Sequence, residues 1–439
     1  HHHHTQAPQA MNLFRIPLAL IAAILAIAHV AAAPATLEEC RDAARANYPL
    51  IKNFGLLDSS LQLDLSAINR GWLPVGSLHA QATAQNVVPG FPDILSDVLT
   101  HMGADIPGLD RFQYKIGVDV SQAIWDGGQS SAGRSVARAS MAERQAALEA
   151  QLYAVSERVD ELFFAVLLLD EQIRQAEITA SVLEAGLADM RSMLRHGAAS
   201  QSDVDIFEAR LLGVAQQLAA ARSSRVSSLR VLEIFTSLDL SDGLAMPEPE
   251  MPRTLVPERP ELKLYDARRS LCAAREAAVG STLMPRIAFF AQAFYGCPGY
   301  DYFKSMMTRD LTFNAMAGIK ISWNFSALYN SGAERRRQRL AAETVESDRS
   351  LFLLNLSMQA ASRNGRISEL RALMADDERI IALLESARKA AESSLRNGVI
   401  DSTTLLSRIA DENTARINAS YHQIQLLQSI CQLKHILNQ

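Results

Sequence analysis

Two stretches of this chain alternate apolar and polar residues over ten or more positions. Residues 112–121 read FQYKIGVDVS, and residues 312–325 read TFNAMAGIKISWNF. A period of two is typical of a β-strand with one apolar and one polar face. Weaker alternation precedes each stretch. The sequence therefore predicts two pairs of strands, at about residues 72–86 with 112–124 and about residues 286–296 with 312–325.

Strands of this length can cross a bilayer, and their number then decides the assembly. A tilted membrane strand needs about 9–11 residues. Four strands cannot close a barrel, and lipid does not tolerate an open sheet edge. Two chains would pool eight strands, whose interior side chains fill, whereas three chains would pool 12 and leave more room. An open conduit therefore favours a homotrimer or a larger assembly, although a soluble sheet would alternate in the same way.

Three charged residues occupy polar positions of these strands: Lys115, Asp119 and Lys320. A lysine turned toward lipid near the bilayer midplane would cost about 2–4 kcal/mol. In a membrane barrel we expect these three side chains to face the water-filled lumen. In a soluble sheet they would be ordinary solvent-facing residues.

Most of the remaining sequence has helical periodicity. From Leu148 to Ala176, apolar residues recur in steps of four and three, which is the seam of a coiled coil. No proline interrupts residues 133–195, and about 60 residues at 1.5 Å each give a helix of roughly 90 Å. On the helices alone, a periplasmic coiled-coil rod is an equally good interpretation. We predict four long helices, at about residues 133–195, 202–237, 333–395 and 401–437.

The chain also contains an internal duplication. Trp72-Leu73-Pro74 recurs 211 positions later as Leu283-Met284-Pro285, and Leu194-Arg195-His196-Gly197 recurs 201 positions later as Leu395-Arg396-Asn397-Gly398. Prolines cluster between the two copies and predict an extended connector, because proline cannot continue a helix. The predicted organisation is a first repeat at 36–247, a Pro-rich strap at 248–260 and a second repeat at 261–439.

The N-terminal residues are interpreted as an export signal. Residues 1–10 resemble a tag or a spurious extension, and residues 11–35 combine a basic start, a short apolar core and small residues at their end. The apolar core is shorter than the roughly 20 residues of a spanning helix. Export permits disulfides, and the four cysteines allow three pairings between which the sequence does not choose.

Composition and motifs exclude several classes of function. The 43 basic and 48 acidic residues give a net charge of −5, so no basic field favours nucleic acid as a partner. The sequence contains no G-x-S-x-G, H-E-x-x-H or P-loop motif, and its cysteines lack C-x-x-C spacing. We therefore predict no enzymatic activity, no cofactor and no bound metal.

Short motifs resemble the TolC-like outer-membrane efflux proteins. Thr36-Leu37-Glu38-Glu39-Cys40 and Asn47-Tyr48-Pro49 are similar to the start of the mature proteins of this family. Trp125-Asp126-Gly127-Gly128, answered in the second repeat by Tyr329-Asn330-Ser331-Gly332, is similar to the family's strand-to-helix junction. The resemblance extends over about residues 36–437.

The resemblance implies an α+β membrane protein. Its long helices would form an antiparallel coiled-coil α-barrel in the periplasm, and its four strands would join those of two other chains in a shared 12-stranded β-barrel. The homotrimer would be the outer-membrane exit duct of a tripartite efflux or type I secretion system. Its partners would be a periplasmic adaptor protein, an inner-membrane pump and the lipid of the outer membrane.

The same resemblance predicts the residues of the periplasmic pore entrance. Relatives carry acidic side chains just beyond the glycine of each helix-to-helix turn. Asp203 lies six residues after Gly197 and matches this pattern, and Asp205 would add to its ring of charges. The corresponding positions of the second repeat are Thr404 and Ser407, so the acids expected there are missing. Compensation of the helix dipole, worth about 0.3–1 kcal/mol, explains Asp203 as well.

The two helix-to-helix turns are the predicted adaptor contact. Their glycines suit a left-handed position between two helices, which a purely structural turn would also need. The residues predicted to contact the adaptor are Leu194, Arg195, Gly197, Leu395, Arg396 and Gly398.

Two other classes of protein remain as alternatives. A periplasmic adaptor would be a coiled-coil structural protein with one helical hairpin, whereas this sequence predicts two hairpins and duplicated strands. A secreted enzyme would use Asp203 or Asp205 with a second carboxylate. Nothing in the sequence places such a partner nearby.

Overall fold

The computed structural model describes residues 33–104, 106–248 and 250–439. The predicted N-terminal extension at 1–10 and most of the predicted signal at 11–35 lie outside the described residues. The strands are β1 (Val75–Ala84), β2 (Phe112–Trp125), β3 (Arg286–Cys297) and β4 (Thr312–Ser322). The helices are α1 (Leu37–Asn47), α2 (Asn53–Arg70), α3 (Asp93–His101), α4 (Gln129–Arg195), α5 (Gln201–Thr236), α6 (Pro260–Ser281), α7 (Tyr302–Thr308), α8 (Ser326–Arg396) and α9 (Ser402–Leu437).

The four strands form one antiparallel sheet in the order β1-β2-β3-β4. β1 begins after Pro74, which has no amide hydrogen to give to a strand ladder. β4 ends at Ser322, three residues before the predicted end. The reason is local: the Asn324 side chain accepts the Ser326 amide at 3.1 Å and turns the chain into α8. The two outer strands, β1 and β4, each have one edge without a partner strand in the described chain.

Four of the helices are long: α4 has 67 residues, α5 has 36, α8 has 71 and α9 has 36. Along the predicted coiled-coil seam of α4, Leu152, Val159 and Val166 have no exposed surface, whereas its later members, such as Leu169 and Ile173, are half-buried. No helix among the described residues combines the length and the apolar character needed to span a membrane.

The two strand-to-helix junctions differ. After β2, Asp126 accepts the amides of Gly128 at 2.9 Å and Ser130 at 2.7 Å, so α4 starts at Gln129. Gly127 and Gly128 have φ angles of +70° and +86°. The expectation that Tyr329-Asn330-Ser331-Gly332 forms a matching junction is wrong, because this segment lies inside α8. It lacks the aspartate and the first glycine, and Asn324 makes the turn instead.

The described chain divides into two compact units, and each draws on both sequence repeats. The first comprises residues 1–47, 156–250 and 367–429, as far as they are described, and is helical. In it, α1 buries Cys40 and Ala44 completely. The second comprises residues 48–155, 251–366 and 430–439 and contains the sheet with α2, α3, α6 and α7. Neither α2 nor α6, which lead into β1 and β3, was predicted from the sequence.

Candidate functional site

The register of the sheet separates its residues into two chemically distinct faces. Residues directly opposite one another in an antiparallel pair point to the same side. One side, named here the apolar face, carries no charged residue on any of the four strands. Its members are Gly76, Leu78, Ala80, Ala82, Ala84, Phe112, Tyr114, Ile116, Val118, Val120, Ile287, Phe289, Ala291, Ala293, Tyr295, Cys297, Phe313, Ala315, Ala317, Ile319 and Ile321. The uncharged side chain of Gln122 also lies on this face, at the end of the sheet that leads into the helices. Its Nε2 donates a hydrogen bond to the Trp72 carbonyl at 3.2 Å.

The three charged strand residues predicted to share a face do so. Asp119 pairs with Gln292 and Gln292 with Met316, so the side of Asp119 continues onto β4. On β2, Lys115 lies four residues from Asp119, and on β4, Lys320 lies four residues from Met316. Because side chains two or four residues apart on a strand point to the same side, both lysines share the side of Asp119. The side that carries Lys115, Asp119 and Lys320 is named here the polar face.

Aromatic side chains flank the apolar face at both ends. At the end that leads into the helices, a bulge between Ala123 and Trp125 places Trp125 opposite Ile287, on the apolar face. At the other end, Tyr295 pairs with Phe313. Trp125, Tyr295 and Phe313 are 41%, 50% and 72% exposed. Large apolar and aromatic side chains this exposed, on an uncharged sheet face, are typical of contact with lipid.

A second candidate site lies at the two tip turns, defined as residues 196–200 between α4 and α5 and residues 397–401 between α8 and α9. Gly197 and Gly398 have φ angles of +74° and +69°, which end one helix before the next begins. Both turns rest on one apolar cluster, to which all four helices contribute: Leu183, Leu187, Met190, Val204, Phe207, Val214, Ala391, Leu395, Leu405, Leu406 and Ile409.

The first tip turn holds its carboxylate in a capping box. The Asp203 carboxylate accepts the amide of Ser200 at 2.9 Å and its hydroxyl at 2.6 Å, while the Asp203 amide donates to the Ser200 hydroxyl at 3.2 Å. Its second oxygen accepts the hydroxyl of Ser402, from the other turn. These bonds, from the Ser200 hydroxyl first and the Ser402 hydroxyl second, hold the pKa of Asp203 below its usual range. Asp203 therefore lies in the first turn of α5, which is the position that the helix-dipole interpretation assumes.

The second tip turn carries an acid that the sequence analysis missed. Asp401 precedes α9, and its carboxylate accepts the amide of Thr404 at 2.8 Å and the hydroxyl at 2.5 Å. The bond from the Thr404 hydroxyl, followed by the bond from the Thr404 amide, lowers the pKa of Asp401. The roles of cap and third residue are exchanged between the repeats: Ser200 and Asp203 in one, Asp401 and Thr404 in the other. The sequence carries a signal for this acid: Asp401 stands at the N-cap of its helix, as Ser200 does in the first repeat, although its distance from the glycine differs from that of Asp203.

The other residues predicted at the tip differ in accessibility. Asp205 and Ser407 are exposed, and Gln201 donates to Asp205 at 2.8 Å. Leu395 is only 7% exposed and Leu194 packs partly buried against the same cluster, so both leucines stabilise the turns.

The two predicted adaptor-contact arginines are both exposed at the tip. The Arg396 guanidinium lies 2.8 Å from the carboxylate of Asp189. Arg195, which ends α4, offers a second guanidinium beside Gly197.

The cysteines and metal-ligating residues form no further site among the residues that the structure describes. No disulfide joins Cys40, Cys272, Cys297 and Cys431 in the described chain. Burial, followed by the charge of Glu39, raises the pKa of the Cys40 thiol to about 11. No group of three histidine, cysteine or acidic side chains is placed to hold a metal ion in the described chain.

Comparison with protein families connects these features to known proteins. Residues 100–234 match the family model described as outer membrane efflux protein. This segment includes β2, α4 and most of α5. No curated protein matches the chain.

Comparison with solved structures covers nearly the whole chain. VceC, an outer membrane protein of Vibrio cholerae, is similar over 91% of this chain and 95% of its own, with 13% identity and a TM-score of 0.64. CusC is similar over 91% of both chains, with 13% identity and a TM-score of 0.66. The outer membrane channel CmeC of Campylobacter jejuni covers 91% of this chain and 85% of its own, with 14% identity and a TM-score of 0.63. At these identities the likeness establishes the fold.

Both comparisons agree with the sequence. The resemblance to outer-membrane efflux proteins is confirmed over residues 100–234 by the family match. The predicted fold class, long helices with a four-stranded antiparallel sheet, is confirmed by the solved channels. The family is one of transport ducts and not of enzymes.

Proposed function

We propose that this protein is the outer-membrane exit duct of a tripartite efflux or type I secretion system, acting as a homotrimer with a periplasmic adaptor and an inner-membrane pump. The single observation that carries the proposal is the sheet. It has an uncharged apolar face, a charged polar face and two edges that no other strand of the described chain covers.

Oligomerisation follows from the two unpaired edges. Backbone groups on a free edge are tolerated in water but not in hydrocarbon, so β1 of one chain must pair with β4 of another. Three chains give 12 strands, which leave an open interior, whereas two give eight, whose interior side chains fill. The apolar face then contacts lipid, and Lys115, Asp119 and Lys320 line a water-filled lumen.

The tip turns are the proposed pore entrance. Each chain contributes Asp203 and Asp401, so a trimer carries two carboxylates per chain around its axis. The Ser402 hydroxyl bridges the two turns, and hydrogen bonds keep both acids ionised at neutral pH. Such a ring favours cations at the entrance. Asp205, Thr404 and Ser407 complete the proposed entrance.

The adaptor is proposed to bind at the same end. Gly197 and Gly398 leave one position in each turn without a side chain, so another protein can approach the backbone closely there. Arg195 and Arg396 add exposed positive charge beside these turns. Leu194 and Leu395 hold the turns in shape from the apolar cluster beneath.

Single-channel recording of the detergent-extracted protein, with its mass measured in parallel, tests the proposal. We expect the mass of a trimer and discrete conductance steps in planar bilayers. A monomer or dimer that partitions with soluble material and does not conduct would refute the barrel. The coiled-coil adaptor would then be the better interpretation.

The pore entrance is tested separately by ion selectivity. Asp203→Asn and Asp401→Asn should each reduce cation preference, and the double variant should reduce it further. Glu208→Gln on the exposed surface of α5 is the matched control and should leave selectivity unchanged. Unaltered selectivity and conductance in the double variant would exclude a role for both acids in the pore.

Crosslinking from the tip tests adaptor binding. A photoreactive residue replacing Arg195 or Arg396 should crosslink to the adaptor, and one replacing Leu212, exposed further along α5, should do so less. A consistent absence of crosslinks from the tip would argue against docking there.

A further inference from the structure

The loop between β3 and β4 folds back over the polar face of the sheet. Three contacts of Tyr300 fix its position. Its hydroxyl accepts a hydrogen bond from Gln292 at 2.6 Å, and its backbone amide donates to the Asn314 side chain at 2.8 Å. Its ring meets Phe294 edge to face, with centroids 5.2 Å apart. By register, Gln292, Phe294 and Asn314 all lie on the polar face.

Gly299 makes this inward fold possible. A Cβ atom built at this position would lie within 2.7 Å of the Asn314 amide oxygen and closer still to the Thr312 hydroxyl. A side chain at position 299 would therefore displace the Thr312 and Asn314 side chains against which the loop rests. The backbone amide of Gly299 also donates a hydrogen bond to the Ser305 hydroxyl at 3.0 Å, within the same loop. The loop is thus held down at both Gly299 and Tyr300.

The loop reaches across the sheet. A cavity of about 480 Å³ separates it from the polar face, and its walls include Tyr300 and Tyr302 from the loop as well as His79 and Gln81 from β1. Arg309, at the far end of the loop, donates to the Gly108 carbonyl at 2.7 Å. The segment between β1 and β2 therefore braces the overhang from the other side.

We infer that this overhang narrows the outer exit of the channel and that Tyr300 sets the size limit for solutes that leave it. The inference rests on the proposed function, in which the polar face lines the lumen and three copies surround one axis. Each chain places one Tyr300 over the lumen at the end of the strands remote from the helices. Three loops, each with its phenol ring packed on the lumenal side of the sheet, reduce the free cross-section there.

Polymer exclusion in planar bilayers measures this directly. Neutral polyethylene glycols of graded size enter the pore and lower its conductance until they exceed its narrowest diameter at the mouth to which they are added. With polymers added on the outer side, we expect Tyr300→Ala to raise the unitary conductance and to shift the exclusion limit to larger polymers. Gly299→Ala, which displaces the loop, should act in the same direction.

Each variant has a matched control. Tyr295→Ala removes a phenol from the neighbouring strand β3, on the apolar face, where the side chain is 50% exposed. Gly90→Ala adds a methyl group to the other loop, where nothing lies within 4 Å of the new atom. Both controls should keep the wild-type conductance and exclusion limit. The mass of each trimer shows that assembly is intact, and Tyr300→Ala decides the question even if Gly299→Ala fails to assemble.

The outcomes separate the inference from the function on which it rests. A conducting wild-type trimer whose Tyr300→Ala variant keeps the same conductance and exclusion limit would overturn the size limit and leave the duct intact. A wild-type protein that forms no conducting trimer would overturn both.

Discussion

The buried ion pair between Arg41 and Asp160 provides the sharpest test of how the N-terminal helix is held. Arg41, on α1, binds the Asp160 carboxylate of α4 with two bonds, from Nε at 2.7 Å and from Nη2 at 2.6 Å. The two side chains are 18% and 7% exposed. The perturbation is Arg41→Ala, which leaves the carboxylate buried without its cation.

The magnitude follows from this burial. Removing one partner of a buried ion pair costs about 3–5 kcal/mol, because the remaining charge loses both its hydration and its counterion. Since Arg41 keeps some contact with solvent, we take the lower end, about 3 kcal/mol. At 1.36 kcal/mol per factor of ten, this weakens the docking of α1 by roughly 150-fold.

Cys40 reports the docking of α1. Its thiol has no exposed surface, and burial raises its pKa to about 11, so it reacts only when the helix opens. We expect its labelling by a thiol reagent, followed by mass spectrometry of the Cys40 peptide, to be roughly 150-fold faster in Arg41→Ala. Labelling of each variant in denaturant gives the intrinsic rate for normalisation.

Two variants control this experiment. Glu38 also contacts Arg41, at 2.6 Å, but its side chain is 74% exposed, so Glu38→Gln should change the opening free energy by less than about 1 kcal/mol. Replacing both partners, as Arg41→Met with Asp160→Leu, should restore most of the protection, because no buried charge remains. A normalised Cys40 rate in Arg41→Ala within a few-fold of wild type would refute the reasoning.

The same pair gives a pH dependence with a defined sign. Burial raises the pKa of Asp160 and Arg41 opposes this rise, with burial prevailing. A carboxyl whose pKa is higher in the folded state binds protons on folding. Its contribution to stability is therefore present at low pH and lost as the pH rises through the folded pKa. Without Arg41 the pKa rises further, so the excess opening of Arg41→Ala should be smaller near pH 5 than near pH 8.

Three further predictions concern the tip and the sheet. Hydrogen bonds from Ser200 and Ser402 lower the pKa of Asp203, so their stabilisation is present above the unfolded pKa of about 3.9 and is lost as the pH falls through the folded value. Protection of the amides in the first turn of α5, taken relative to the intrinsic exchange rate at each pH, should fall on acidification in the wild type and be low at all pH values in Asp203→Asn. Gly197→Ala and Gly398→Ala should each destabilise their turn by about 1–2 kcal/mol, seen as faster exchange at the helix ends, because both glycines have positive φ. Lys115→Leu should assemble normally, whereas Ile116→Lys should cost about 2–4 kcal/mol and reduce the yield of trimer.

Each of these has its own control. Asp205→Asn should leave the pH profile of exchange unchanged, because Asp205 contacts only the Gln201 amide group among the bonds described. Gly213→Ala, in the open interior of α5, should stabilise by about 0.5–1 kcal/mol rather than destabilise. Equal trimer yields from Lys115→Leu and Ile116→Lys would contradict the assignment of the two faces.

Much of the fold follows from local rules that are readable in the chain. Alternation with period two separates the neighbours Lys115 and Ile116 onto opposite faces wherever the strand pairs. The steps of four and three from Leu148 onward specify a buried helical seam, and Val159 and Val166 are fully buried accordingly. These features depend on residues close in sequence, so no knowledge of distant contacts is needed.

Two turns were missed or misplaced, although the hydrogen bonds that make them join residues close in sequence. The strand-to-helix junction of the second repeat was expected at Tyr329-Asn330-Ser331-Gly332, but Asn324 makes the turn earlier. The second acid of the tip, Asp401, was overlooked because cap and third residue exchange roles between the repeats. In both places the short motif diverged while another residue took over the same hydrogen bonds.

The sequence by itself determined which residues can share a face of a strand and which stretches form the four long helices, because these depend on the fixed periods of the backbone. Only the tertiary structure decided the register that aligns Lys320 with Asp119 across two strands. The tertiary structure also brings the Ser402 hydroxyl to the Asp203 carboxylate and folds the loop at Tyr300 over the polar face. Those arrangements are selected by packing and hydrogen bonding between residues far apart in the chain, at positions that no local period specifies.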